Sequence, residues 1–160
     1  MILWFAGVGS LIAWEVFKSP ALDYRLVMLG SVLPVAEVVT GGPRLLHTLA
    51  GAVLALAVVM VATRNRRLLR RRLLGLPIGL FLHLALDGAW ARKELFWWPA
   101  FGWSFGPGGL PELDRGGLSL LLELAGAGAL LWSYRRFGLA DAGRRSEFLR
   151  TGHLARDLTA

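Results

Sequence analysis

Apolar residues along this chain fall into five long blocks separated by short polar stretches, without the half-polar periodicity of helices that lie on a soluble core. The blocks cover residues 2–17, 24–40, 44–63, 73–91 and 117–134. A helix that crosses the hydrocarbon of a bilayer needs about 20 mostly apolar residues. Each block therefore predicts a spanning helix, with tilt or local thinning for the shorter ones. The first block is closed by Lys18, Ser19 and Pro20. No basic stretch precedes it and no small-residue cleavage site follows it, so it reads as a helix and not as a secretion signal. Pro34 interrupts the second block, and Pro77 stands near the start of the fourth. The predicted fold is all-α: a polytopic transmembrane helical bundle of about five spans over residues 1–136, followed by a basic tail over 137–160.

Composition points the same way. Of 160 residues, 55% are hydrophobic and only 18% charged, which is too apolar for an ordinary soluble domain of this length. The absence of cysteine excludes both a disulfide framework and a thiolate metal site.

The net charge of +7 and isoelectric point near 11.2 raise the question of nucleic acid. Placement of the charge answers it. Arg64, Arg66, Arg67, Arg70, Arg71 and Arg72 crowd one loop between apolar blocks, and a second arginine group follows the last block. Arginine beside spanning helices is a cytoplasmic retention signal and a contact for anionic lipid head groups, so no nucleic-acid partner is expected. With the 64–72 loop in the cytoplasm, Lys18, Arg25 and the tail fall on the same side. The amino terminus is then outside, and the expected location is the cell membrane, multi-pass.

Two stretches are not predicted to span. Residues 92–116 carry Trp97, Trp98, Trp103, Phe101 and Phe105, an aromatic belt for the outer interface. The tail from residue 139 is polar and reads as a short interfacial helix or as disorder, with His153 solvated.

Ionisable side chains at membrane depth cost about 2.5–3.5 kcal/mol each, so their positions carry information. Glu37, His47, His83, Asp87 and Glu123 all fall about 5–12 Å from the outer ends of four different blocks. His83 and Asp87 are four apart and share one helix face. Imidazole with carboxylate suits zinc, whereas carboxylates alone suit magnesium or manganese. His47 and Glu37 complete an expected ligand set of Glu37, His47, His83 and Asp87. Glu37 or Asp87, whichever is less committed to the ion, is the expected general base, and Arg44 is expected to hold an anionic substrate group. Glu123 is expected to pair with an arginine or to face water, and Glu15 to pair with Lys18.

These segments resemble the membrane-bound metal-dependent hydrolases of the YdjM-like family, some of which are controlled by the LexA repressor. Members show an early aspartate, a segment like Leu-Pro-Asp-x-Asp, an Arg-x-x-x-His-Ser segment, then Gly-x-x-x-His-x-x-x-Asp and an aromatic stretch with proline. The counterparts here are Asp23, residues 30–37 (GSVLPVAE), 44–48 (RLLHT), 79–87 (GLFLHLALD) and 96–99 (FWWP). The chain departs from the pattern at Val35, where the family has an acid. The resemblance implies a hydrolase. In a membrane setting the expected substrate is an amphiphilic ester, such as a lipid or isoprenoid phosphate. Loss of the acid at Val35 keeps a non-catalytic scaffold or partner subunit open, and the polar layer keeps a small ion- or proton-coupled transporter open.

Overall fold

The computed structural model of the chain describes residues 1–105 and 116–159; residues 106–115 of the expected aromatic belt, and Ala160 of the tail, lie outside the described residues. The described residues form helices and turns only: α1 Ile2–Phe17, α2 Tyr24–Val32, α3 Leu49–Ala62, α4 Arg67–Leu73, α5 Gly75–Asp87, α6 Lys93–Phe96, α7 Gly117–Arg136 and α8 Ala142–Thr151, with 3-10 turns between several of them.

Among the described residues, one helix, the 20-residue α7, is long and apolar enough by itself to cross a bilayer; α1 and α3 are apolar but shorter, at 16 and 14 residues. The other two predicted spans are broken for identifiable reasons. Pro34 cannot donate an N–H and converts the end of the second block into a 3-10 helix, Leu33–Thr40. In the fourth, the left-handed Gly88 (φ 70°) stops α5 at Asp87. The third block starts late, because Leu45–His47 form a 3-10 turn and α3 begins only after it, N-capped by the Thr48 side chain, which accepts from the Gly51 N–H at 2.9 Å.

Packing fixes the helix directions. A Cβ on Gly79 would come within 2.1 Å of the Val27 carbonyl oxygen, so only glycine lets α2 and α5 approach this closely. Gly75 lies likewise against Asp23, and His83 against Ser31, so the contacts advance together and the two helices run parallel. Gly126 of α7 lies against the backbone of Leu3 and Trp4, where a Cβ would meet it at 2.3 Å. Further along, the Trp14 and Phe137 rings meet edge-on at 5.1 Å, so α1 and α7 also run parallel. Gly9 beside Ser31, and Trp14 beside Tyr24, set α1 antiparallel to α2.

One consequence is a sorted molecule. Lys18, Arg25, the 64–72 arginines, Arg135 and Arg136 all gather at one end, and His47, His83 and Asp87 lie toward the other. Between the two ends, the outer faces of α3 and α7 are apolar and exposed: Val58, Val61, Leu120 and Leu124 are 58–76% accessible. The expected exposed pair of Glu15 and Lys18 is present.

The tail folds back at the basic end. Tyr24 donates its N–H to the Gly152 carbonyl at 2.9 Å, and Leu154 donates to Pro20 at 3.1 Å. Leu154 and Phe137 are buried in one apolar cluster with Trp14, Tyr24 and Val27. Residues 137–159 therefore share a core with the helices instead of standing apart from them.

Candidate metal centre

The centre begins with a spacing. Gly75, Gly79, His83 and Asp87 recur every fourth residue, so they form one ridge along α5. The two glycines draw α2 close, and the ridge then presents His83 to the end of α2. There the His83 Nδ1 lies 2.8 Å from the Ser31 carbonyl oxygen. In the 3-10 register that follows, the N–H three residues on from Ser31 would be that of Pro34, which has none. The ring of Phe5 covers His83 at a centroid distance of 4.0 Å.

The opposing half comes from the turn between residues 37 and 48. Gly41 (φ 85°) ends the 3-10 helix in a left-handed conformation, and the chain reverses through Gly42 and Pro43. Glu37 ties the returning strand of chain down. Its Oε2 accepts from the Arg44 N–H at 2.6 Å and lies 2.8 Å from His47 Nδ1, while Oε1 accepts from the Leu46 N–H at 2.8 Å. Thr48 donates its hydroxyl to the Leu45 carbonyl at 2.8 Å and closes the turn.

These bonds decide the tautomers. A carbonyl oxygen can only accept, so His83 carries its proton on Nδ1; the Glu37 carboxylate places the His47 proton on Nδ1 in the same way. Both Nε2 atoms then hold lone pairs, and they face each other at 3.3 Å with the rings nearly perpendicular, at 84°. Two lone pairs at that distance repel unless a cation lies between them. Two nitrogens bound about 2.0–2.1 Å from a tetrahedral zinc ion would stand about 3.3 Å apart. The donor set fits a metal.

Asp87 completes it. One ligand atom from each of His47, His83 and Asp87 lies within 4.8 Å of the others, and all three residues are at most 1% exposed. The expected ligand set is thus brought together in part, without Glu37. That carboxylate stands behind His47 and orients it, as a carboxylate–histidine–metal triad requires. Arg44 is exposed, and its backbone N–H is held by Glu37.

Glu123 is not at the centre. Its carboxylate, 30% exposed, pairs with the amino-terminal ammonium at 3.3 Å instead of an arginine and accepts from the first N–H groups of α1, at 2.5 Å from Ile2, 2.7 Å from Leu3 and 3.3 Å from Trp4. It caps a neighbouring helix, where those amides have no partner within their own turn. Asp23, the early aspartate, is also remote: eight residues before Ser31, it lies about 12 Å along α2. Ser31 and Phe5 were not predicted. Ser31 acts through its backbone, and no side-chain pattern announces that.

Comparison with protein-family models, with curated proteins and with solved structures finds no match to the chain.

Proposed function

We propose that this chain is a polytopic protein of the cell membrane, with about five spans and a cytoplasmic basic end. It holds one divalent ion between His47, His83 and Asp87 and hydrolyses an amphiphilic ester, such as a lipid or isoprenoid phosphate, on the outer side. The observation that carries the reading is the facing pair of Nε2 atoms at 3.3 Å, each with its Nδ1 held by an acceptor. The mixed nitrogen and oxygen set favours zinc over manganese or magnesium. Support for several spans comes from the gathering of the 64–72 arginines, Arg135 and Arg136 at the end away from the buried centre, and from the exposed apolar faces of α3 and α7.

A divalent ion bound there supplies Lewis acidity and lowers the pKa of water toward neutrality. Three candidate ligands among the described residues, with a fourth position left over, support a catalytic centre over a closed structural one. Glu37, committed to three donors, serves as the positioning residue for His47. Asp87 would hold the ion through one carboxylate oxygen, and its second oxygen would be the acceptor for a proton from water at the site. The Arg44 guanidinium, at the mouth of the 37–48 turn, serves the substrate phosphate.

Two observations favour a second reading, a metal-stabilised scaffold or partner subunit without catalysis: His47, His83 and Asp87 are buried, and Val35 stands where the resembled family has an acid. Phosphate release from phosphatidic acid or an isoprenyl diphosphate in mixed micelles separates the two. Hydrolysis predicts zinc-dependent release that falls at least 100-fold in Asp87→Ala. Zinc-loaded protein that releases nothing from either lipid class leaves the scaffold.

A further inference from the structure

We infer a second site, independent of the metal centre, built for an anionic phospholipid of the cytoplasmic leaflet. Its head pocket, of about 330 Å³, lies at the basic end and is lined by Arg71 and Arg72 of α4, Arg150 and Thr151 of α8, and His153. These residues come from segments far apart in sequence, so it is the returning tail that completes the pocket. The local charge is unbalanced. Asp23 is fully buried beneath and takes up Arg25 at 2.9 Å and Arg72 at 3.1 Å. Among the described residues, neither Arg71 nor Arg150 has a carboxylate partner. A phosphate, with oxygens for several guanidinium donors, matches this lining.

What makes the ligand a lipid is the continuation of the pocket. Ala21 and Arg71 also line a neighbouring cavity of about 180 Å³, whose other walls include Phe17, Leu74 and Ile78. Phe17 and Ile78 in turn line a groove of about 460 Å³ that runs over α5 between α1 and α3, past Val16, Val53 and Phe81. Polar surface is concentrated at the arginine end, and the groove is walled by aliphatic and aromatic side chains. A charged head with one acyl chain fits this gradient, and a free phosphate uses only its first part. At about 100° per residue, Ile78, Phe81 and Leu82 point away from the ridge of His83 and Asp87. The bound lipid is therefore not the substrate of the metal centre, and it staples α1, α3, α4 and the tail together from the cytoplasmic side.

The test is native mass spectrometry of the full chain in detergent, titrated with phosphatidylglycerol, phosphatidylcholine or glycerol 3-phosphate. One phosphatidylglycerol is expected per chain, bound in preference to phosphatidylcholine. Arg71→Ala/Arg150→Ala should weaken it about thirty-fold, and Arg71→Lys/Arg150→Lys should restore most of the loss. Val16→Trp, at an exposed position in the groove, should weaken phosphatidylglycerol while leaving glycerol 3-phosphate binding unchanged. Equal retention of both lipids by wild type and the alanine double variant overturns the site, since only annular lipid is then present. Binding of glycerol 3-phosphate as tight as phosphatidylglycerol, with no effect of Val16→Trp, reduces it to a phosphate pocket and overturns the lipid assignment. Metal content plays no part in any of these readouts.

Discussion

The Nε2 atoms of His47 and His83 point at each other across 3.3 Å, although the two residues come from separate elements 36 positions apart. Glycine spacing in α5 brings one, and the Glu37-tied turn brings the other. Neither ring can turn away without breaking its Nδ1 hydrogen bond. The arrangement is preorganised for a cation, and several consequences can be measured.

Glu37→Gln removes the negative charge behind His47 and keeps one oxygen for the Arg44 N–H and His47 Nδ1, giving up the acceptor of the Leu46 N–H. Zinc affinity should fall about 10–100-fold, as for other outer-shell carboxylates, without loss of fold. Competition with a chromophoric chelator reads this directly. A loss as complete as that of His83→Ala would make Glu37 a ligand after all.

Gly79→Ala places a methyl group against the Val27 carbonyl, 2.1 Å from its oxygen. Parting α2 from α5 should cost about 1–3 kcal/mol. It should also lower zinc affinity, because the Ser31 carbonyl moves off His83 Nδ1. Gly128→Ala is the control, since nothing lies within 4 Å of its position. Thermal unfolding in detergent, with and without chelator, separates the packing loss from the metal loss.

Glu123→Leu leaves the first amides of α1 without their acceptor and should destabilise the protein by about 0.5–2 kcal/mol, the loss of a helix N-cap. Zinc content should stay at the wild-type level, because Glu123 touches α1 and not the histidines. A parallel loss of metal would place Glu123 in the centre.

Asp23 gives the pH dependence at the basic end. Burial pushes its carboxyl up, but hydrogen bonds and charge from Arg25, the Leu26 N–H and Arg72 outweigh this and hold it below the ordinary value of 3.8. A carboxyl with a depressed folded pKa stabilises fully above its unfolded value, and that stabilisation is lost as pH falls through the folded one. Its share should therefore be constant from pH 8 to about 5 and fall progressively below about 3.8, as pH drops toward the depressed folded value. Asp23→Asn should remove that part of the acid-side decline in melting temperature. An unchanged slope in the variant would show that other carboxyls set it.

The sequence is informative here where physics is local. A spanning helix requires a long apolar block, and α1, α3 and α7 coincide with three of the five blocks. The rarity of charge at depth singled out His47, His83 and Asp87, which the fold brings together. What was not legible depends on which atom faces which. Spacing alone does not say whether Glu37 meets an ion or the Nδ1 of a histidine. Its carboxylate is taken by Arg44 and Leu46 N–H groups that a helix starting at residue 44 would have left at an uncapped end. Pro34 marked a break, but not that the break would leave the Ser31 carbonyl to His83. Glu123 looked like a member of the polar layer because depth says nothing about direction, and its helix turns it toward α1.

The most direct measurement is zinc content with X-ray absorption at the zinc edge, on wild-type and His83→Ala protein purified from zinc-replete cells. Wild type should hold one zinc per chain, with two imidazole nitrogens and carboxylate oxygen in its shell, and the variant should hold close to none. Wild-type protein that carries no divalent metal, or a His83→Ala variant that keeps its zinc with an unaltered spectrum, would mean that the facing imidazoles share a proton and not an ion.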